Sequence, residues 1–300
     1  MQNSEIKPFI KWVGGKRQLL SEIQKHYPPT IERYCEPFVG GGAVLFDILA
    51  NCKPKEVLIN DLNQNLVNVY CQVRDNQDKL IRCLRRLEKS YISLTYEKQK
   101  EMYNWLRDKY NSSMSMPNDH LKLRNAALFI FLNKTGFNGL YRVNKSGQFN
   151  VPMGKYKNPA ICDEDTIKNA SAALQGVKIT CGSYSDCISF IDENTFLYID
   201  PPYRPISDTA SFKAYDKDAF DDNSQRTLKK FVDECVSKGA SFVLSNSDPK
   251  NVDLDDDFFD DLYGDYIIKR VEARRNVSCV GNGRNKITEI LVYNDRPKQG

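Results

Sequence analysis

Apolar residues in this chain gather into short blocks separated by longer amphipathic stretches. Runs rich in β-branched, aromatic and aliphatic residues stand at 33–38, 56–60, 177–181, 196–199 and 241–245, and two more lie near 266–271 and 287–293. Short apolar runs of this kind read as buried strands. Helical spacing fills most of the intervals, and strands alternating with helices predict a largely parallel sheet, with the two late runs forming a terminal antiparallel hairpin. The stretch from about 63 to 161 breaks the alternation. It carries long helical patterns at 77–90, 96–110 and 122–134, then a hairpin pattern, Leu140-Tyr141-Arg142-Val143-Asn144, turning at Lys145-Ser146-Gly147 into 148–151. The stretch therefore reads as an inserted lobe with sheet residues on both sides of it, and no internal repeat or low-complexity linker interrupts the chain.

Composition narrows the class. At 300 residues, 41% hydrophobic and 27% charged, the chain has the make-up of a globular protein able to bury a core without staples. No run approaches membrane-spanning length, and Met1-Gln2-Asn3-Ser4-Glu5 lacks the regions of a signal peptide, so a cytoplasmic protein with no membrane partner is expected. Nine cysteines occur without a Cys-x-x-Cys pair and the only histidines are His26 and His120, which disfavours structural zinc and a disulfide framework. Reduced, mostly buried thiols and no metal are expected. Charge is segregated: 121–162 holds seven basic residues and no acid, while 248–265 holds eight aspartates and one lysine. A basic segment interleaved with Phe, Tyr and Asn is the footprint of a nucleic-acid groove. The acidic stretch reads as a solvated helix and loop pointing away from any polyanion.

Candidate chemistry sits at strand ends. The run Phe196-Leu197-Tyr198-Ile199 closes in Asp200-Pro201-Pro202-Tyr203, placing a carboxylate and an aromatic face where ligands of open α/β sheets collect. Consecutive prolines fix φ and supply no N–H, so the carbonyls of Asp200 and Pro201 are aimed acceptors that, with the carboxylate, suit a planar exocyclic amine. Upstream, Glu36-Pro37-Phe38-Val39-Gly40-Gly41-Gly42 ends the first strand and opens a helix at 43–50. The glycines let backbone pass close under a ligand at a helix N-terminus. The next strand ends in Asn60-Asp61, at the distance where a carboxylate grips ribose hydroxyls, so an adenosine-containing cofactor is implied. The spacing is not Gly-x-Gly-x-x-Gly, which disfavours a nicotinamide or flavin dinucleotide. Gly14-Gly15-Lys16 is not a P-loop, because Arg17 stands in the Ser/Thr position and Ile10 at the first glycine.

With Phe9-Ile10-Lys11-Trp12-Val13-Gly14-Gly15-Lys16, Glu36 to Gly42, Asn60-Asp61, Asn138-Gly139-Leu140-Tyr141-Arg142-Val143-Asn144, Phe149-Asn150-Val151-Pro152 and Asp200 to Tyr203, the chain resembles the Dam-like, D12-class DNA adenine N6-methyltransferases, particularly those modifying GATC. The motifs run from near the start to past residue 203. The resemblance implies a Rossmann-like α/β sheet for S-adenosylmethionine-dependent methyl transfer (1–62 and 163–300) with an inserted helical and hairpin target-recognition lobe (63–162). It implies that Trp12, Gly14, Gly15 and Lys16 close over the cofactor, that Glu36, Phe38, Gly40 and Gly42 shape its pocket and that Asp61 holds its ribose. Asp200 lies between methyl donor and base. It further implies that Lys11 and Arg142 read guanines, that Leu140 and Pro152 pack against bases, that Asn144 belongs to the DNA-binding hairpin and that double-stranded DNA is the partner. A restriction endonuclease acting on the same site is a partner the resemblance leaves open. One departure stands out: the family often has Gly-Asp-Phe where this chain has Gly182-Ser183-Tyr184. Tyr184 keeps an aromatic wall for the cofactor's adenine, but the acid is missing.

The expected mechanism is extrusion of adenine, stacking on Tyr203, hydrogen bonding of N6 to Asp200 and the Pro201 carbonyl, and direct in-line methyl transfer without a covalent enzyme intermediate. C5-cytosine methylation is disfavoured because the chain has no Pro-Cys dipeptide. N4-cytosine methylation stays the nearest alternative within the class, although its enzymes more often have Ser where Asp200 stands. A catalytically silent DNA-binding module and a protein- or RNA-modifying enzyme are further alternatives.

Overall fold

A computed structural model describes residues 6–114, 119–204, 220–273 and 287–294. Met1–Glu5 and Cys279, both part of the reading above, lie outside the described residues. Seven strands form one mostly parallel sheet: β1 (Arg33–Glu36), β2 (Glu56–Asp61), β3 (Lys178–Cys181), β4 (Thr195–Ile199), β5 (Ser241–Ser247), β6 (Ile267–Ala273) and β7 (Ile287–Tyr293), in the order β3-β2-β1-β4-β5-β7-β6. The central ladders β1–β2, β1–β4 and β4–β5 are parallel, and β7 runs antiparallel between β5 and β6. The order reverses direction between β1 and β4, the switch point at which ligands of such sheets gather. Strand β1 is shorter than the apolar run suggests because Pro37 supplies no N–H to continue its ladder. Strand β5 is longer, since Asn246 and Ser247 stay in the sheet with buried, hydrogen-bonded side chains.

Among the described residues the α-helices are α1 (Leu20–Ile23), α2 (Ala43–Asn51), α3 (Gln64–Asp75), α4 (Gln77–Ile92), α5 (Tyr96–Asn111), α6 (Asp119–Thr135), α7 (Glu164–Ala173), α8 (Asp222–Ser237) and α9 (Phe258–Leu262). Helix α3, which the patterns named above pass over, starts on an N-cap: the Asn63 side chain accepts from the N–H groups of Asn65 and Leu66. Among the described residues no helix is long and apolar enough to cross a membrane.

The chain divides into two compact units. One comprises 1–15, 39–51 and 60–182 and is largely helical. Its buried interior includes Tyr70, Tyr103, Tyr110 and Phe131. The other comprises 16–38, 52–59 and 183–300 and holds most of the sheet, with a core built from Cys35, Leu197, Ile199, Leu228, Phe242, Leu244, Phe259 and Val292.

Three expectations change. The hairpin at 140–151 forms but is minimal: one antiparallel bridge joins Val143 to Phe149, flanked by backbone bonds from Asn144 N–H to the Gln148 carbonyl and from Asn150 N–H to the Arg142 carbonyl, in place of two full strands. Helices add support, since Asn111 exchanges two hydrogen bonds with the Phe149 backbone and Tyr103 donates to the Val151 carbonyl. The acidic stretch is not simply solvated. Asp248 is buried against Arg270, Asp256 pairs with Arg204, and Asp257 and Asp260 pair with Lys250. Among the described cysteines Cys35, Cys187 and Cys235 are buried and Cys181 is exposed, so fewer are buried than expected.

Gly42 makes a local test. Its φ is +72°, and a Cβ there would stand 2.5 Å from the Tyr70 hydroxyl oxygen. Gly42→Ala is expected to cost about 1–3 kcal/mol, read as a lower urea midpoint at unchanged m.

Candidate active site

Most of the residues singled out by the sequence fall into two clusters, one in each unit. In the helical unit, Asp61 ends β2 and its carboxylate accepts from Gly40 N–H at 3.1 Å and from Asn63 N–H at 2.9 Å. Burial pushes its carboxyl above the usual carboxylate range, while those two donors pull it back. Leu62 beside it is 80% exposed, an apolar surface next to a half-buried acid. Tyr70 donates to the Gly40 carbonyl at 3.0 Å. The Trp12 side chain lies against the same glycine turn, so close that a Cβ on Gly40 would fall 2.9 Å from its indole Nε1 and one on Gly41 2.7 Å from its Cβ. Its ring also stacks with Tyr141 and Phe129, at centroid separations of 5.8 Å and 6.4 Å. Gly14 and Gly15 lie exposed in the turn that follows.

The base-reading candidates share this unit. Lys11 is clamped at its backbone by Asn133, which accepts from its N–H at 2.9 Å and donates to its carbonyl at 2.8 Å. Its ammonium sits 4.3 Å from the ring centroid of Tyr156. The exposed Arg142 guanidinium donates from Nε to Asn150 Oδ1 at 2.7 Å, with Nη2 toward the Asn150 carbonyl. Asn144 accepts from the N–H groups of Ser146 and Gln148 and so closes the loop. Leu140 is half-buried and Pro152 exposed. Sequence reasoning gave no role to Asn133, Asn150 or Tyr156, although all three lie in the acid-free segment and Asn150 stands in one of the motifs that carry the resemblance.

In the sheet unit, Asp200 follows β4. Its Oδ1 accepts from the Ser245 hydroxyl at 3.0 Å, and its Oδ2 lies 2.8 Å from Lys16 Nζ, an ammonium only 5% exposed. The same ammonium stands 4.7 Å from the Tyr203 ring centroid. The Tyr203 phenol donates to Glu289 on β7, and burial, then the nearby Asp200 and Glu289 charges, push its ionisation well above the usual range. The Pro202 carbonyl accepts from Gln225 at 3.3 Å. Glu36, buried at the end of β1, accepts from Tyr34 at 2.7 Å. Phe38 and Tyr184 pack together, centroids 5.2 Å apart, and Ser183 caps the turn that carries Tyr184 by accepting from Ser185 N–H. The Lys16–Asp200 pair and Glu289 escaped the sequence reading. The one signal for Glu289 was a lone acid within Ile287-Thr288-Glu289-Ile290-Leu291-Val292-Tyr293.

Comparison with known proteins gives this geometry a context. The model of the D12 class N6 adenine-specific DNA methyltransferases matches residues 12–277. The chain is 46% identical over 296 residues to the Type II methyltransferase M.MjaIII of Methanocaldococcus jannaschii, covering 97% of this chain and 99% of that protein. It is 37% identical to the Type II methyltransferase M1.LlaDCHI of Lactococcus lactis subsp. cremoris, over 96% of this chain and 95% of the relative. Against the DNA adenine methylase of Escherichia coli K12 the identity is 32%, over 95% and 94%.

The two donors on Asp61 make a test of its charge. An asparagine would turn an NH2 group toward one of the two backbone N–H groups, so Asp61→Asn is expected to destabilise the protein by about 1–3 kcal/mol, measured by urea unfolding.

Proposed function

The chain belongs to the D12 class of N6 adenine-specific DNA methyltransferases, and we propose that it methylates adenine within GATC in double-stranded DNA, with S-adenosylmethionine as the methyl donor. The observation that carries the chemical part is Asp200, an acceptor fixed by Ser245 and Lys16 beside the Tyr203 ring. Residues 63–162 are assigned to target recognition, and 1–62 with 163–300 to catalysis.

The residues present fit this donor. Within the helical unit a half-buried carboxylate on Asp61 suits a ribose diol and the Gly40–Gly42 turn presents backbone without side chains, and within the sheet unit the Phe38–Tyr184 pair is an aromatic surface of the kind an adenine ring packs on. Gly14, Gly15, Trp12 and Glu36 complete the assignment by family likeness. When bound, S-adenosylmethionine supplies an electrophilic methyl group on a sulfonium. The rest is the work of this chain's side chains. An adenine in a duplex must leave its stack, at a cost of a few kcal/mol, which a stacking surface on Tyr203 offsets. Each carboxylate oxygen has two acceptor positions, so Asp200 accepts an N6 hydrogen while keeping Ser245 and Lys16. With the Pro201 carbonyl taking the other hydrogen, the N6 lone pair is drawn out of ring conjugation and turned toward the methyl group. Positioning and fixed dipoles supply the rate.

Arg142 and Lys11 read guanines, the commonest base-edge contact of a guanidinium, and Leu140 and Pro152 pack against neighbouring bases, with Asn144 holding the loop. The other cations of the basic segment bind phosphates and supply affinity rather than specificity. The E. coli relative's name, DNA adenine methylase, supports adenine as the target base, and the motif likeness around Lys11 and Arg142 supports GATC. The names of the Type II relatives support a role beside a restriction endonuclease acting on the same site.

Labelled methyl transfer to duplexes containing GATC, GTTC or an unrelated sequence tests the reading: label is expected in GATC adenine, and label only elsewhere would refute the specificity. Asp200→Ala is expected to abolish transfer while cofactor binding, followed by calorimetry, largely persists. Arg142→Ala is expected to cost about 1–3 kcal/mol of discrimination at one base pair, measured as the ratio of kcat/KM on GATC and singly altered duplexes.

A further inference from the structure

Tyr203 is held from a strand that the Asp-Pro-Pro-Tyr tetrapeptide does not supply. Its phenol donates to Oε2 of Glu289. Strand β7 lies between two antiparallel neighbours, with Glu289 opposite Ser247 of β5 on one side and Val271 of β6 on the other, so two ladders fix its backbone. Thr288, one residue earlier, is pinned again: its N–H donates to Asn251 Oδ1 at 2.9 Å, and its carbonyl accepts from Asn251 Nδ2 at 2.7 Å. An acid there is anomalous on packing grounds, because Ile290, Leu291 and Val292 beside it are fully buried. Burial pushes the Glu289 carboxyl upward and the Asp200 charge adds to this, whereas the Lys16 ammonium and the Tyr203 phenol favour its charged form. A half-buried carboxylate kept at that cost has work to do.

We propose that Glu289 is a positioning residue for methyl transfer: by accepting the hydrogen bond of the Tyr203 phenol it fixes the plane of the ring on which the extruded adenine stacks. The proposal rests on the reading of Tyr203 as that stacking surface. Two prolines set the backbone before Tyr203, but they leave its side-chain torsions free, and those torsions decide where the ring face points. The phenol oxygen is the atom farthest from the backbone, so a bond there has the longest lever on ring orientation. Hydrogen bonds from a hydroxyl to a carboxylate are short and strong, about twice a neutral pair. The Lys16 ammonium, 4.7 Å from the ring centroid, restrains one face, and a planar base takes the other. The sheet thereby supports both ends of the tetrapeptide: β5 holds Asp200 through Ser245, and β7 holds Tyr203 through Glu289.

The test compares Glu289→Ala, Glu289→Gln, Tyr203→Phe, Tyr203→Ala and the double variant Glu289→Ala with Tyr203→Phe, each first checked for a wild-type urea midpoint. Two readouts are used: single-turnover methyl transfer beside KM for DNA, and, without cofactor, fluorescence of a GATC duplex carrying 2-aminopurine in place of the target adenine. Glu289→Ala is expected to lower the transfer rate about 10-fold with little change in KM. Its 2-aminopurine signal should rise above wild type, as in Tyr203→Ala, because a base no longer stacked on the ring is less quenched. Glu289→Gln, which retains an acceptor oxygen, should recover most of both. Tyr203→Phe should match Glu289→Ala, and the double variant should be no worse than either, since both remove one hydrogen bond. Losses that add in the double variant, a Gln variant as impaired as Ala, or unchanged fluorescence in Glu289→Ala would each overturn the proposal. Should Glu289→Ala fail to fold, Tyr203→Phe removes the same bond from the other side and Glu289→Gln still separates hydrogen bonding from charge. Wild-type transfer and fluorescence in Tyr203→Ala would overturn the reading of Tyr203 itself, and the proposal with it.

Discussion

An ammonium that is 5% exposed needs an anion beside it, and Lys16 has Asp200 at 2.8 Å. Removing the carboxylate would leave the buried ammonium without this partner, which is unfavourable, so the surrounding sheet is organised around keeping the two together. Strand β4 must deliver Asp200 at its carboxyl end, where Pro201 stops the ladder. The short turn Lys16–Gln18 must return the lysine to that point. Ser245 then occupies one carboxylate oxygen and the Tyr203 ring takes its place near the ammonium. The pair also explains why Gly14-Gly15-Lys16 is no phosphate loop: the charge of its lysine is committed to a carboxylate.

The same demand for pairing reorganises the acidic stretch. Eight aspartates in eighteen residues look like a solvated surface when read along the chain, yet Asp248, at 1% exposure, accepts from both Arg270 and Thr288. Arg270 also meets Asp260, whose carboxyl it holds below the usual range. Arg204, directly after the tetrapeptide, reaches Asp222 at the start of α8 and Asp256 in the acidic loop, with its guanidinium 4.4 Å from the Phe258 ring centroid. Many of these acids are therefore structural ties, and one of those ties fixes the exit of the Asp-Pro-Pro-Tyr segment. In residues 121–162, by contrast, no acid exists within the segment to neutralise its cations.

What the sequence made legible follows from the range of the interactions involved. Strands and helices depend on periodicity over a few residues, and most boundaries came within two residues. Proline at 37 and 201 and glycine at 40–42 act locally, so the strand ends and the turn could be read directly. The minimal form of the hairpin at 140–151 could not, because part of its support comes from Asn111 and Tyr103, about forty residues upstream. Lys16 with Asp200, and Tyr203 with Glu289, join positions far apart in the chain, and no local pattern encodes such a pairing. Glu289 left one trace, a charge in an apolar strand, whose meaning required the partner to be seen.

Base recognition raises the same issue of support from a distance. A side chain that reads a base contributes fully only if little freedom is lost when it binds, and both proposed readers are restrained beforehand. Asn133 fixes the Lys11 backbone at two points while Tyr156 draws its ammonium, and Asn150 occupies one edge of the Arg142 guanidinium. An edge used in this way leaves the remaining N–H groups aimed in a set direction, as bidentate contact with guanine requires. In the proposed reading, specificity rests on the pairs Lys11–Tyr156 and Arg142–Asn150 rather than on the cations alone. Exchanging a reader without its support alters both what is recognised and how firmly the reader is held.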